Sequence, residues 1–149
     1  MLNVKGAAVP PDRPPADAYA VFAPCMYRPT PERFRAKWAQ WTADPQIRIC
    51  TAEEDGRLLG MLVLRRNDTG ADILGIAVAE ACRRRGIGRQ LIRTAIDSDR
   101  PDLLTAETDD EAVGFYVKCG FTAEKTVVTY PDGPSVRYRC RRSGSHLPL

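Results

Sequence analysis

Apolar residues recur with two different periods along the chain, and each change of period marks a change of element. Residues 16–27 suit a short helix broken near Pro24. Thr30 precedes Pro31, the order of an N-cap followed by proline at the first helical position. Phe34, Trp38 and Trp41 then fall at i, i+4 and i+7, which predicts one apolar helix face that ends at Asp44-Pro45. Both tryptophans read as core, with the edge of an acceptor site as the alternative. Ile47 to Ala52 alternates as a half-buried strand does, and Glu54-Asp55-Gly56 predicts a hairpin turn. Leu58 to Leu64 is the returning strand, apolar almost without a break, which predicts a central strand. Asn67 to Gly70 is a further turn, and Ile73 to Val78 the third strand.

From Ile87 the period lengthens. Ile87, Leu91 and Ala95, with Ile92 and Ile96 beside them, form a helical stripe that ends over Asp97 to Pro101. Leu103 to Ala106 reads as a short buried strand. Thr108 or Asp109 then opens the fourth helix, Thr108 and Glu111 matching a capping box, and Gly120 is expected to close it in the left-handed conformation. Phe121 to Tyr130 and Val136 to Cys140 are the last strands, joined by Pro131-Asp132-Gly133-Pro134. The order is two helices, three strands, a helix, a strand, a helix and two strands. It predicts an α/β fold, a mixed sheet with helices on both faces. With no repeat or linker in view, residues 1–149 read as a single domain, 1–12 loosely ordered and 143–149 a tail.

Composition narrows the class. Hydrophobic residues at 44% and charged residues at 28% are those of an ordinary globular protein. No apolar run approaches the ~18 residues of a membrane span. Pro10, Pro11, Pro14 and Pro15 stand where a secretory signal would have its apolar core. The five cysteines are scattered without a CxxC pair, and the only histidine is His146. That spacing argues against zinc and for a reduced, cytoplasmic setting, with no metal expected. A net charge of +3 is too small to indicate a nucleic acid partner. Its distribution says more: Arg83, Arg84, Arg85, Arg89 and Arg93 gather around one loop and helix start. That clustering suits a small polyanion, with a solvated basic face as the plain alternative.

The glycines after the arginines bear on that choice. Ile76-Ala77-Val78 ends a strand, Arg83-Arg84-Arg85-Gly86-Ile87-Gly88 follows, and a helix begins at Ile87. A helix N-terminus offers unpaired N–H groups and partial positive charge to an anion. Gly86 and Gly88 let a diphosphate approach the backbone, and Arg89 adds charge. The pattern lacks both the G-x-G-x-x-G of a dinucleotide fold and the G-K-[ST] of a P-loop. Further on, Phe115 and Tyr116 are neighbours on the fourth predicted helix and point about 100° apart. Phe115 is assigned to the core and Tyr116 to a cleft. A phenol with an ordinary pKa of about 10 is protonated at neutral pH and can donate to a thiolate leaving group. The alternative is a packed tyrosine whose hydroxyl bonds backbone.

The segments IAV at 76–78, RRRGIG at 83–88 and DDEAVGFYVKCGF at 109–121, in this order and spacing, resemble the GNAT superfamily of N-acyltransferases. The resemblance spans about Ile47 to Cys140. It implies a mixed sheet splayed into a V, with acetyl-CoA as co-substrate in the opening. Backbone groups of Ile76, Ala77 and Val78 would then hold the pantetheine arm. Amides from Arg83 through Arg84, Arg85, Gly86, Ile87 and Gly88 to Arg89 would hold the diphosphate. Tyr116 matches the usual general acid and also touches the cofactor. Asp109, the last cofactor-contact candidate, stands where many members carry an Asn that touches the cofactor, and a carboxylate cannot donate as Asn does. The implied reaction is direct attack of an amine on the thioester. Glu107 is the first candidate for the base, with Asp72 and Glu53 behind it. Cys82 and Cys119 lack a histidine to activate them as acyl carriers.

The acceptor is expected to be a small-molecule primary amine, met by the N-terminal helices and the hairpin near Pro131. Tyr19, Phe22, Tyr27, Trp38 and Tyr130 are candidates to line that site. A protein N-terminus or lysine is another acceptor class, and a coenzyme-A-binding module without turnover is another function class. A homodimer is a common arrangement in folds of this kind.

Overall fold

Seven strands form one mixed sheet: β1 (Asn3–Ala8), β2 (Ile47–Glu54), β3 (Arg57–Asn67), β4 (Gly70–Val78), β5 (Leu103–Thr108), β6 (Thr122–Tyr130) and β7 (Gly133–Ser143), in the spatial order β1-β2-β3-β4-β5-β7-β6. The helices are α1 (Ala18–Phe22), extended by a 3-10 turn at Ala23–Cys25, α2 (Pro31–Ala43), α3 (Ile87–Asp99) and α4 (Val113–Lys118). This computed structural model describes residues 1–143; the rest of the predicted tail, with His146, lies outside the described residues.

β3 explains the two-layered core. Every residue from Leu58 to Leu64 is buried, because the strand lies between β2 and β4 with helices above and below. Leu58, Met61 and Val63 pack with Ile47, Ile49 and the aromatic faces of α1 and α2. Leu59, Leu62 and Leu64 pack with Leu91, Ile92, Ile96 and Leu104 under α3. On the first face Phe22 meets Trp41 edge-on at 5.4 Å, and Trp38 lies 5.7 Å from Trp41. The predicted stripe of α2 is therefore core. Its start is capped as expected, the Thr30 hydroxyl accepting from Arg33 N–H at 3.0 Å.

Two readings of local structure need correction. The N-terminal stretch expected to be loosely ordered contains β1, which pairs antiparallel with β2 through Val4↔Ala52 and Lys5↔Thr51. Its own apolar pattern is weak, with only Leu2, Val4 and Ala7 packing on the core; the free edge of β2 orders it. Trp38 Nε1 fixes the segment that follows by donating to the Pro11 carbonyl at 2.8 Å. The second correction concerns the helix after β5. It begins later than either Thr108 or Asp109 would start it, at Val113, with Ala112 as an N-cap that has no side-chain bond; Asp109 Oδ1 instead closes the turn before it, accepting from Glu111 N–H and Ala112 N–H, both at 3.0 Å. Gly120 closes α4 at φ 90°, and Phe121 N–H donates back to the Tyr116 carbonyl at 3.0 Å.

The sheet opens between β4 and β5. These strands pair in parallel from Gly70↔Leu103 to Ile73↔Ala106, and the ladder stops there. At that point Ile73 faces Leu64 while Gly75 faces Val63, so Leu74 is an extra, bulged residue. A bulge bends its strand. β4 runs on with β3 to Val78, while β5 runs on with β7 to Thr108↔Tyr138. The two arms separate into the predicted V.

Candidate active site

A cavity of about 1460 Å³ occupies the wedge. Its first wall is the bulged half of β4, whose outer edge has lost its partner strand. The carbonyl of Ala77 turns towards β3. Those of Ile76 and Val78 turn into the wedge, where they accept from Cys25 Sγ at 3.2 Å and Arg83 Nε at 3.4 Å. In an antiparallel strand the N–H and C=O of one residue point the same way. Ile76 and Val78 thus offer donor and acceptor to the cavity, and Ala77 does not.

The second wall is the turn into α3. Gly86 is the N-cap at φ 77°, with no side-chain cap, no acidic residue in the first turn, and open space where a Cβ would stand. A side chain here would strain the backbone and crowd the exposed amides. Gly88 is small for another reason: a Cβ would lie 2.9 Å from the Phe115 ring. The first turn of α3 therefore approaches the Phe115 ring of α4 closely, and the first N–H groups of α3 are unpaired by the helix itself. Arg83, Arg84 and Arg89 border the cavity. Arg85 does not; it turns outward to Glu54 at 2.9 Å and holds that carboxyl below its usual range. Arg89 is anchored on the Lys118 carbonyl at 2.9 Å, which ties the two helices together.

The third wall carries Tyr116. Its ring is 4% exposed and lies edge-on to Phe115 and Phe121, each 5.3 Å away. Its hydroxyl makes no hydrogen bond among the described residues, and the side chain borders the cavity. The packed-tyrosine alternative, with the phenol bonded to backbone, does not hold. Burial pushes the phenol pKa up from its ordinary value, so the group holds its proton across the neutral range. The expected split of roles between neighbours holds only in part: Phe115 is half-buried and borders the same cavity, while Tyr116 is the more deeply packed. The short turn after Asp109 rotates both rings towards the wedge.

Glu107 and Asp109 line the cavity at the end of β5. Glu107 has only a long ion pair, 3.8 Å to Arg139. The lesser base candidates lie elsewhere: Asp72 accepts from Thr105 and Asn67, and Glu53 pairs with Lys5 at 3.3 Å. Neither borders the cavity. Of the aromatic residues expected near an acceptor, Tyr27 and Tyr130 line it, whereas Tyr19, Phe22 and Trp38 pack into the α1–α2 core. Three features escaped the sequence reading: Cys25 on the Ile76 carbonyl, Arg137 on the β7 wall, and a bridge from Tyr27 Oη to Asp132 Oδ2 at 3.4 Å. Tyr27 and the hairpin were expected near an acceptor, but neither their bridge nor the Cys25 contact is marked by any motif; Arg137 is one of the alternating arginines 137, 139 and 141, which do not mark it as a site residue.

A model of the Acetyltransferase (GNAT) family matches residues 16–121. The chain belongs to the GNAT acetyltransferase family. Solved GNAT structures share its fold over nearly the whole length. A family member from Desulfovibrio desulfuricans superposes with a TM-score of 0.72 at 22% identity, covering 96% of this chain and 99% of that one. A Bacillus subtilis acetyltransferase in complex with CoA gives 0.69 at 17% identity, with the same coverage. A mutant of the spermidine N-acetyltransferase of Vibrio cholerae gives 0.70 at 18%, covering 95% and 93%. Among curated proteins, UPF0157 protein YqkA of Bacillus subtilis (strain 168) is 30% identical over 84 residues. That match covers 54% of this GNAT chain but only 24% of YqkA, about a quarter of the relative's length. No helix among the described residues is long and apolar enough to cross a membrane, and no cluster of three or more metal-ligating side chains occurs among them.

Proposed function

We propose that this GNAT chain moves an acetyl group from acetyl-CoA to the primary amine of a small molecule, by direct attack and with Tyr116 as general acid. One observation carries the reading: the protonated phenol of Tyr116 borders the wedge without a protein partner, together with the open backbone edge of Ile76 and Val78.

The residues present suit acetyl-CoA. The uncapped start of α3, with Gly86 open and Arg83, Arg84 and Arg89 beside it, suits the diphosphate. The unpaired edge of β4 suits the amide-bearing pantetheine arm as an added strand would. The Cys25 and Arg83 contacts on that edge are single and replaceable. The acetyl-CoA thioester supplies an activated carbonyl. An N–H near Val78 polarises that carbonyl as negative charge develops on its oxygen. Glu107 takes the proton of the attacking amine, and Tyr116 gives its own to the departing sulfur. Asp109 closes the turn before α4 and supplies no donor.

The test is calorimetric titration with acetyl-CoA, followed by coenzyme-A release over a panel of small amines and lysine peptides. Saturable heat with turnover on a small amine supports the proposal. Heat without turnover on any amine turns the site into a binding module, and absence of heat removes the proposal altogether.

A further inference from the structure

Arg137 occupies an unusual position in the wedge. On β7 it shares a sheet face with Arg139 and Arg141, because side chains alternate along a strand. Arg141 faces Thr105, and Arg139 faces Glu107 on β5 and Glu124 on β6. The next residue on that face, Arg137, has Thr126 on its β6 side and nothing on the other, because the β5 ladder ends at Thr108↔Tyr138. The guanidinium is thus left at the point where β5 peels away, on the wall of the cavity. Its Nε is buried and has no hydrogen-bond partner, alone among the buried side-chain polar atoms of the described residues. The acid closest in sequence on the hairpin, Asp132, accepts instead from Tyr27.

A buried guanidinium N–H without an acceptor is costly, and native structures nearly always meet one with protein, ordered water or a bound ligand. The turn proposed to hold the diphosphate has its own arginines, Arg83, Arg84 and Arg89. Arg137 stands instead on the strand that leaves the β6–β7 hairpin, with Tyr27 and Tyr130 also on the cavity lining. Glu107, opposite Arg139 on the neighbouring strand β5, is the diagonal neighbour of Arg137, roughly 7–8 Å away between backbones. We infer that the acceptor is an amine that also bears a carboxylate, an amino acid or a close relative, with Arg137 gripping the carboxylate and Glu107 meeting the amine. The inference rests on the acetyl-transfer reading. In that reaction the amine nitrogen bonds to the thioester carbon, the C–S bond breaks, one amine proton goes to Glu107, and the sulfur leaves as coenzyme A thiol with the Tyr116 proton. The fork of Arg137 accepts a planar carboxylate through two parallel N–H bonds, which a lysine could not reproduce.

The experiment measures equilibrium binding, with coenzyme A present, of free amino acids and of their carboxamides, to the wild-type chain, Arg137→Gln and Arg137→Lys. The wild type should bind at least one free acid roughly tenfold or more tightly than its carboxamide. Arg137→Gln should abolish that preference, Arg137→Lys should restore only part of it, and coenzyme A affinity should stay within about twofold in all three. Equal binding of acid and amide by the wild type, no binding of any acid, or a preference that survives Arg137→Gln would overturn the inference. Loss of coenzyme A binding by the wild type itself would instead strike the acetyl-transfer reading beneath it.

Discussion

Cys25 Sγ donates to the carbonyl of Ile76 at 3.2 Å, joining residues 51 positions apart at the mouth of the wedge. The contact brings a thiol to the strand edge where the thioester arm is proposed to lie. A cysteine in such a place invites an acyl-enzyme mechanism. Burial, however, pushes its pKa up, outweighing the opposing effects of the Ile76 contact and Arg83. The group is a thiol at neutral pH, and the thiolate is the nucleophile.

Cys25→Ala should therefore keep kcat within roughly threefold of wild type, where removal of a true covalent nucleophile costs orders of magnitude. Steady-state turnover and intact-mass analysis after mixing with acetyl-CoA check this together. An acetylated wild-type chain that Cys25→Ala fails to form would establish a ping-pong route.

The adjacent arginines of the turn separate in role. Arg84, at φ 69°, borders the cavity and has no hydrogen bond or ion pair among the described residues, whereas Arg85 is bound to Glu54. Arg84→Ala should weaken acetyl-CoA binding roughly tenfold, the scale of one charge-assisted contact. Arg85→Ala should leave it within about twofold, since an exposed pair contributes little. Calorimetric Kd values for the two variants decide the matter.

Much of this architecture was legible in the chain. The α2 stripe, the unbroken apolar run of β3 and the Thr30-Pro31 start each follow from one local rule and match what the structure contains. β1 was not legible, because Val4 and Ala7 hardly mark a strand and the order comes from pairing with β2. Arg137 was invisible as a site residue for a similar reason. Nothing in its neighbours in sequence says that β5 ends one pair short of it. The split between Phe115 and Tyr116 holds only in part: Phe115 packs against the core and Tyr116 borders the wedge as expected, but each also does the other, because a 100° step fixes how two side chains differ, not how exclusively each serves one side.

Alkaline stability follows from buried thiol and phenol groups. Cys50 is 0% exposed, and burial raises its pKa from 9.0 to about 12. Tyr116 shifts upward for the same cause. The folded chain therefore holds these protons more tightly than the unfolded chain does. Their stabilising contribution is complete below about pH 9 and declines as pH rises towards about 12. Urea midpoints measured from pH 8 to 11 should fall through that window, and Cys50→Ala should flatten the fall.

Gly75 tests how tightly α1 sits on the bulged strand. A Cβ there would lie 2.5 Å from Phe22 Cζ and 2.9 Å from its Cε1. Gly75→Ala should cost about 1–3 kcal/mol by overpacking. Adding Phe22→Leu should recover part of that loss, a coupling that a double-mutant cycle in urea would read directly. Strictly additive costs would mean that the ring moves aside freely.

The central claim is that the phenol on α4 protonates the sulfur as the amide forms. It is tested most directly by the rate of coenzyme A release from Tyr116→Phe at saturating acetyl-CoA and amine. Tyr116→Phe should show a kcat lower by roughly 10²–10⁴-fold, with acetyl-CoA still binding as it does to wild type. A Tyr116→Phe chain that turns over at the wild-type rate contradicts that claim.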